Sequence, residues 1–197
     1  MMRRVGVAVG LVVTTFGPAA GQTCPTMDEF ARADRSQDLL LEFARAYGRS
    51  AGLSDLSKGT KAANELEVRL WYGFGLTGVD GFVLRRMGDR WTGETVTPIG
   101  RTTCYERRPT RQADWGVIWQ QVRGSGLAGL PPKPSRDPKR LVLDGYSYVL
   151  EWWEGGRYRT FVYDNPDVFK TDEDLRMILI VRQLLGAAGV RVPGAAE

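Results

Sequence analysis

The chain opens with a basic and then strongly apolar segment. Two arginines precede an apolar stretch over residues 5–16, and small residues follow at 19–21. A basic start, an apolar run of about 12 residues and a small-residue cleavage site are typical of a secretory signal peptide. The run is too short to cross a bilayer as a helix. We expect residues 1–21 to be a signal peptide cleaved before Gln22, and residues 22–197 to form one domain.

Residues 22–64 combine polar residues with an apolar periodicity that is typical of a helix. Thr26 and Glu29 fit the S/T-x-x-E capping box that begins many helices. The apolar positions that recur at helical spacing are Leu39, Leu40, Phe43, Ala46 and Tyr47. Gly48 is placed to end this helix. We expect residues 48–64 to form a loop that can hold a short helical turn.

From residue 65 onward, apolar and polar positions alternate with a period of two, which predicts strands. The apolar half of the first alternation is Leu66, Val68, Leu70 and Tyr72. Residues 82–87 and 91–97 lie on either side of a Gly-Asp turn and predict a second and a third strand. Residues 103–105 indicate a fourth, short strand. Together these segments predict an antiparallel meander.

A second helix is predicted after Asp114, because an aspartate at that point can cap the first turn. The apolar positions on one face of this helix are Trp115, Ile118, Trp119 and Val122. Residues 127–140 then contain four prolines among basic residues. That composition predicts an extended surface loop.

The clearest hairpin pattern follows this loop. Apolar stretches at 141–143 and 146–153 flank an Asp-Gly turn, and residues 157–163 return after a Glu-Gly-Gly turn. Thr171 is placed to cap a final helix, whose acidic first turn suits the helix dipole. The positions in phase along this helix are Leu175, Ile178, Leu179, Arg182 and Leu185. We expect residues 187–197 to form a tail with a tendency to disorder.

The order of elements determines the predicted fold class. Strands joined by tight turns form antiparallel sheets, and helices that are separate from them in sequence pack on one face. We therefore expect an α+β fold with two layers: an antiparallel sheet of about six to seven strands, made of a meander plus hairpins, with helices on one face. No segment after the start has as many as 18 consecutive apolar residues, so we expect no membrane span in the mature chain.

Composition narrows the chemistry available to the chain. It contains no histidine, which excludes Ser-His-Asp and Cys-His catalysis and imidazole metal ligands. Its 27 basic and 23 acidic residues give +4, and removing the two arginines of the predicted signal peptide leaves +2. So small an excess of positive charge does not indicate nucleic acid as a partner. We expect no metal and no cofactor.

The two cysteines, Cys24 and Cys104, both lie in the predicted mature chain. In an oxidising compartment an even pair predicts a disulfide bond. Such a bond closes a loop of 79 intervening residues, which the chain-entropy model values at roughly 4–5 kcal/mol before native strain is subtracted. The pair therefore agrees with a secreted or periplasmic location.

Aromatic and arginine residues concentrate in the second hairpin and make it a candidate binding surface. Those residues are Tyr146, Tyr148, Trp152, Trp153, Arg157, Tyr158 and Arg159. Aromatics beside arginines can stack on sugar rings or anchor a protein partner. The alternative is ordinary cross-strand packing. Because adjacent strand residues point to opposite faces, Trp152 and Trp153 cannot enter the same core layer.

A glycine-rich segment, residues 73–78, matches G-x-G-x-x-G. A dinucleotide site would need a helix to begin there, whereas a strand is predicted to follow, so the pattern indicates a bulge or a sheet corner. We regard this corner as a second candidate contact surface.

Three functions remain open for the mature chain. The first is a non-catalytic binding module of the periplasm or extracellular space, with a protein or carbohydrate partner. The second is a histidine-free hydrolase of envelope or extracellular polysaccharide, which would use two carboxylates. The third is a structural envelope protein without a discrete ligand site. The carboxylates on predicted strands are Glu65, Glu67, Glu94, Glu106 and Glu151, and their spacing selects no pair.

Overall fold

One antiparallel sheet organises the structure. The computed structural model describes Cys24 and residues 39–59, 61–62, 64–75, 78–100, 103–135 and 146–192. The strands are β1 Leu66–Gly75, β2 Gly78–Met87, β3 Arg90–Pro98, β4 Tyr105–Pro109, β5 Ser147–Glu154 and β6 Arg157–Asp164. Their order in the sheet is β4-β3-β2-β1-β5-β6, and every neighbouring pair is antiparallel. The predicted meander is confirmed as β1–β2–β3.

Four α-helices complete the described part of the chain. They are α1 Leu39–Ser50, α2 Trp115–Gly124, α3 Pro166–Phe169 and α4 Asp172–Ala188, and short 3₁₀ turns occur at Leu56–Lys58 and Leu127–Gly129. The predicted α+β class with an antiparallel sheet is confirmed. Asp114 and Thr171 are the N-caps of α2 and α4, as predicted.

The main hydrophobic core lies between one face of the sheet and the helices α2 and α4. Alternate residues of each central strand point into it because side chains in a strand alternate between faces. The sheet contributes Leu66, Val68, Leu70, Tyr72, Phe82, Leu84, Tyr148, Leu150, Phe161 and Tyr163. The helices contribute Trp115, Trp119, Val122, Met177, Ile180, Val181, Leu184, Leu185 and Ala188.

A smaller apolar cluster lies on the opposite face of the sheet, beneath α1. Trp71 is 1% exposed there and packs with Leu41 and Ala44 of the helix. The remaining buried members include Val79, Val83, Val96, Tyr105 and Val149. The sequence pattern did not place α1 on this second face.

The helix α4 uses a different apolar face from the one predicted. Leu175 and Leu179 are 50% and 47% exposed, whereas Met177, Ile180 and Val181 are fully buried. The prediction of the Leu175, Ile178, Leu179 phase was therefore wrong by roughly a third of a turn. It failed because α4 carries apolar residues around most of its circumference, so that more than one phase satisfies the helical period.

Several element boundaries also differ from the predictions, and β2 begins at Gly78 where residues 82–87 were predicted. Helix α1 passes through Gly48 and ends at Ser50, whose hydroxyl donates a 2.7 Å hydrogen bond to the carbonyl of Thr103. The fourth strand was predicted at residues 103–105. It begins at Tyr105 and continues through polar residues to Pro109. Its pattern of exposed charges carries no apolar alternation, as is common for edge strands.

The glycine-rich corner is a bulge, as predicted. The register of β1 against β2 shifts between Tyr72 and Gly75. Gly73 and Phe74 both have positive φ angles, 106° and 56°. A positive φ is uncommon for a bulky residue such as Phe74, so the bulge holds strained backbone.

Several sequence predictions fall outside the described residues. They are the signal peptide at 1–21, the capping box at Thr26, the strand at 141–143 with its Asp-Gly turn, and the last five residues. Helix α4 extends through Ala188, two residues into the predicted tail, and Val190 and Val192 pack against the main core. None of the helices within the described ranges is long and apolar enough to cross a membrane.

The predicted disulfide bond is present. Cys24 is bonded to Cys104, and their Cα atoms lie 4.8 Å apart. Cys104 immediately precedes β4, so the bond joins the N-terminal part of the chain to the β3–β4 connection. Disulfide bonds of this kind are typical of proteins outside the cytoplasm.

Candidate functional site

The aromatic hairpin β5–β6 uses most of its predicted binding residues for internal packing. Tyr148 and Trp153 are buried, at 3% and 4% exposure, while Tyr146 is 39% exposed and Arg157 is also exposed. Trp152, Tyr158 and Arg159 are partly buried. The structure therefore does not gather the seven predicted residues into one surface, because they divide between the two faces of the sheet.

The two adjacent tryptophans separate as their strand geometry requires. Trp152 faces α2, where its ring meets Trp119 edge-to-face with centroids 5.7 Å apart. The guanidinium of Arg159 lies 5.9 Å from the same ring and donates to the carbonyls of Ala128 and Leu130. Trp153 lies on the other face of the sheet, opposite Glu67 in register. Much of the surface of both indoles is therefore occupied by the protein itself.

A layer of charged side chains lies on the α1 face of the sheet, around Glu67. The Glu67 carboxylate accepts from Lys61 Nζ at 2.5 Å and from Arg69 Nε at 2.6 Å, and Arg85 Nε lies 3.1 Å away. Burial alone would raise the pKa of Glu67, but Arg69, Arg85 and Lys61 outweigh it and lower the pKa to about 2. Glu67 is thus held ionised, which is the opposite of what a general acid requires.

Two further candidate carboxylates, Glu94 and Glu106, are also paired with neighbouring arginines. Glu94 bonds Arg85 and Arg107 at 2.6 and 2.7 Å, and Glu106 bonds Arg108 at 2.6 Å. Because Arg85, Arg107 and Arg108 are neutralised in this way, these three arginines do not form an open anion site.

Glu151 is the carboxylate with the fewest partners in this layer. It is 1% exposed, and one of its oxygens accepts from the Tyr158 hydroxyl at 2.8 Å. Its second oxygen has no hydrogen-bond partner within the described ranges. Burial and the adjacent Glu151 raise the pKa of Tyr158, so this hydroxyl remains a donor at neutral pH. With so little exposed surface, the Glu151 carboxylate is not accessible to a substrate in this conformation.

A groove forms where the β2–β3 turn meets the first half of α2. Gly93 makes this contact possible, since a Cβ there would lie 2.7 Å from the ring of Trp115, the first residue of α2. Gly116 lies beside Trp91, where a Cβ would be in ordinary contact, 3.5 Å from Nε1 of the indole. Gly93 therefore allows the helix to pack against β3, and the partly exposed Trp91 lies between β3 and the start of α2.

The groove has an aromatic centre and polar walls. Its volume is about 720 Å³ and it is open to solvent. Its lining consists of Arg86, Gly88, Asp89, Trp91, Asp114, Gly116, Val117, Gln120 and Gln121. The Arg86 guanidinium lies 5.5 Å from the centroid of the Trp91 ring, which holds the indole in one orientation. We call this space the Trp91 groove.

A second, smaller hollow adjoins the Trp91 groove. It measures about 340 Å³ and shares Trp91, Asp114 and Gly116 with the larger space. The residues that line only the smaller hollow are Thr92, Gly93, Pro109, Thr110, Arg111, Gln112, Ala113 and Trp115. The two hollows therefore meet at the contact between Trp91 and α2.

Sequence reasoning missed this groove. The pattern did place Gln120 and Gln121 off the apolar face of α2, and Trp91 directly after the Gly-Asp turn. No pattern in the sequence predicted that the β2–β3 turn and α2 would come together. That contact depends on tertiary packing at Gly93 and Gly116, which local periodicity does not report.

The site is interpreted from its own geometry. Within the residues that the structure describes, no three acidic or thiol side chains converge to hold a metal ion. No model of a protein family matches the chain, and neither a curated protein sequence nor a solved structure shows detectable similarity to it.

Proposed function

We propose that this protein is a non-catalytic binding module that acts in the periplasm or extracellular space and takes up its ligand in the Trp91 groove. The observation that carries the proposal is the groove itself. It combines a partly exposed indole with several exposed hydrogen-bonding side chains in one open space of about 720 Å³. An apolar platform surrounded by a few polar groups is the usual composition of a small-ligand site.

The location outside the cytoplasm is part of the same proposal. Its support is the signal-like pattern at residues 1–21 together with the Cys24–Cys104 bond. Both features are consistent with a binding protein that operates in an oxidising compartment and contains no histidine.

The surroundings of the carboxylates favour binding over hydrolysis. A retaining or inverting glycosidase needs two carboxylates that face one cleft, one of them protonated to act as an acid. Here Glu67 and Glu94 are joined through Arg85, and the positive charges around Glu67 keep it ionised. The polar side chains that line the Trp91 groove are instead suited to forming hydrogen bonds.

The test uses fluorine NMR on protein labelled with 5-fluorotryptophan, because the six tryptophans then report six separate places. The Trp91 resonance is assigned with Trp91→Phe and that of Trp152 with Trp152→Phe. The probes are monosaccharides, dipeptides and small polar fragments at millimolar concentration. We expect binding probes to shift the Trp91 resonance and leave Trp152 unchanged.

A substitution provides the control for this experiment. Gln121→Ala removes a polar group from the wall of the groove without touching the core, since Gln121 is exposed. It should weaken the probes that shift Trp91 by several-fold. If no probe moves the Trp91 resonance, or if binding probes move only Trp152, the Trp91 groove is not the binding site.

A further inference from the structure

We infer that the ligand of the Trp91 groove is a linear neutral oligosaccharide that spans both hollows and passes over the contact between Trp91 and α2. This inference rests on the proposed function and specifies its ligand class. The observation behind it is that two open hollows, of about 720 and 340 Å³, share Trp91, Asp114 and Gly116 in their linings. A ligand that fills both must be extended, with distinct units on either side of Trp91.

The position of Trp91 suits a sugar ring at the centre of such a chain. The indole is partly exposed, lines both hollows, and packs against the main core and the Arg86 guanidinium. A flat, rigid aromatic surface offers apolar contact to the C–H face of a pyranose. Because the ring is already held in place, little side-chain entropy is lost on binding.

The polar groups around Trp91 suit hydroxyl groups. The larger hollow presents the amides of Gln120 and Gln121, and the smaller presents Gln112 and the Thr110 hydroxyl, which donates to the Gly93 carbonyl and retains its acceptor positions. An amide has two donors and two acceptor positions, and a sugar hydroxyl also both donates and accepts. One of these amides lies in the smaller hollow and two in the larger, so both ends of an extended chain meet matching groups.

The charges of the groove favour a neutral ligand over an anionic one. The larger hollow is lined by Arg86 together with Asp89 and Asp114, so positive charge does not accumulate there. In the smaller hollow, the Arg111 guanidinium already donates to the carbonyls of Gly186 and Ala187 at 2.8 and 3.0 Å. A polyanion would therefore meet two arginines, one of them already engaged with the backbone, and two carboxylates that offset their charge.

The strands beside the groove disfavour an extended peptide. A peptide that binds by strand addition needs an unpaired strand edge. Trp91 lies in β3, which is paired with β2 along this stretch and with β4 from Glu94 onward, and the Gly93 carbonyl accepts from the backbone N–H of Thr110, so only residues 90–92 leave a short unpaired edge. The groove therefore offers side chains to its ligand, and these match the hydroxyls of a saccharide.

The experiment is isothermal titration calorimetry with neutral oligosaccharides of one, two, four and six units, built from glucose, N-acetylglucosamine, mannose or galactose. In at least one series we expect affinity to rise at least tenfold between one and four units and then to level off. Trp91→Ala should weaken every member of that series at least tenfold. Because Trp91 also packs against the main core, circular dichroism and a melting curve must accompany this variant.

Substitutions at three exposed residues distinguish the contributions of the two hollows from that of the rest of the surface. Gln121→Ala, in the larger hollow, should weaken short and long members alike. Gln112→Ala, in the smaller hollow, should weaken only the longer members by several-fold. Arg157→Ala is the matched control, because Arg157 is exposed on the aromatic hairpin and away from both hollows, and it should change nothing.

The outcomes of these experiments distinguish an error in the ligand class from an error in the proposed function. Affinity that is independent of chain length, or a Gln112→Ala variant that binds long members normally, overturns the two-hollow arrangement. Peptides that shift the fluorine signal of Trp91 when no oligosaccharide binds overturn the saccharide assignment but keep the groove. If neither class of probe binds and Trp91 stays silent, the proposed function falls with it.

Discussion

Glu67 is a buried carboxylate whose charge is balanced entirely by side chains of this protein. Alternation along β1 predicted a polar residue at this position on the face opposite Leu66 and Val68, and the structure confirms that it leaves the main core. The alternation could not show that the second face of the sheet would also be covered. Because that face is covered, Glu67 is only 2% exposed. Its three cationic partners come from β1, from β2 and from the segment before β1, and only the fold brings them together.

The lowered pKa of Glu67 predicts acid sensitivity. Its pKa falls from the ordinary 4.5 to about 2 on folding, so its contribution to stability is present above pH 4.5 and is lost as the pH falls toward 2. Glu67→Gln should destabilise the protein by roughly 3–5 kcal/mol at pH 7, because it leaves buried cations unpaired. The difference from wild type should shrink between about pH 5 and pH 2. Urea unfolding at pH 7, 4 and 3 measures it.

A matched carboxylate serves as the control for this experiment. Glu106 also pairs with an arginine, but its side chain is 37% exposed. Exposed pairs contribute roughly 0–1 kcal/mol, so Glu106→Gln should change stability little at any of these pH values. An equal effect of the two substitutions would contradict the view that burial gives Glu67 its importance.

At the scale of whole elements, local rules that involve neighbouring residues were the most reliable. The capping signals at Asp114 and Thr171 and the turn between β2 and β3 were all confirmed, since each depends on residues within one turn of chain. The helical phase of α4 failed because Leu175 and Leu179 are as apolar as the residues that are buried. Packing against the sheet determines which of these phases is buried. The helical period of one segment contains no information about that packing.

The N-cap of α4 gives a prediction at this scale. Thr171 accepts from the backbone N–H of Asp174, and the Asp174 side chain accepts in return from the backbone N–H of Thr171. Thr171→Ala should lower the free energy of unfolding by about 1 kcal/mol, within the usual 0.5–2 kcal/mol for N-caps. Arg182→Ala, an exposed change in the same helix, should leave it nearly unchanged. Equal unfolding midpoints for Thr171→Ala and wild type would show that the cap is not stabilising.

At the scale of the molecule, the class of fold could be predicted but the order of the strands could not. Hairpins follow from short turns, and they give β1–β2–β3 and β5–β6 directly. The pairing of β1 with β5 joins segments about 80 residues apart, and no local pattern specifies it. The Trp91 groove has the same origin, because it depends on the packing of β3 against α2 at Gly93. The site therefore depends on the least predictable level of the structure.

The Cys24–Cys104 bond is the covalent contribution to that long-range order. It joins the start of the predicted mature chain to the β3–β4 connection, next to the carbonyl of Thr103 that accepts from the end of α1. Breaking it frees a loop of about 80 residues in the unfolded chain, which corresponds to roughly 4–5 kcal/mol before native strain is subtracted. Reduction should therefore lower the melting temperature by roughly 5–15 °C.

The same protein preparation tests the bond and the location together. The mass of protein recovered outside the cytoplasm should correspond to a chain that begins at Gln22 and contains no free thiol. A Cys24→Ser/Cys104→Ser double variant should melt at the temperature of the reduced wild type and should not respond to reductant. Because this variant lacks both cysteines, any change in its melting temperature on addition of reductant would be an effect of the reductant itself and not of the disulfide bond. A wild-type melting temperature that reduction leaves unchanged would mean that the bond adds nothing to stability, and a chain that retains residues 1–21 would contradict export through a cleaved signal.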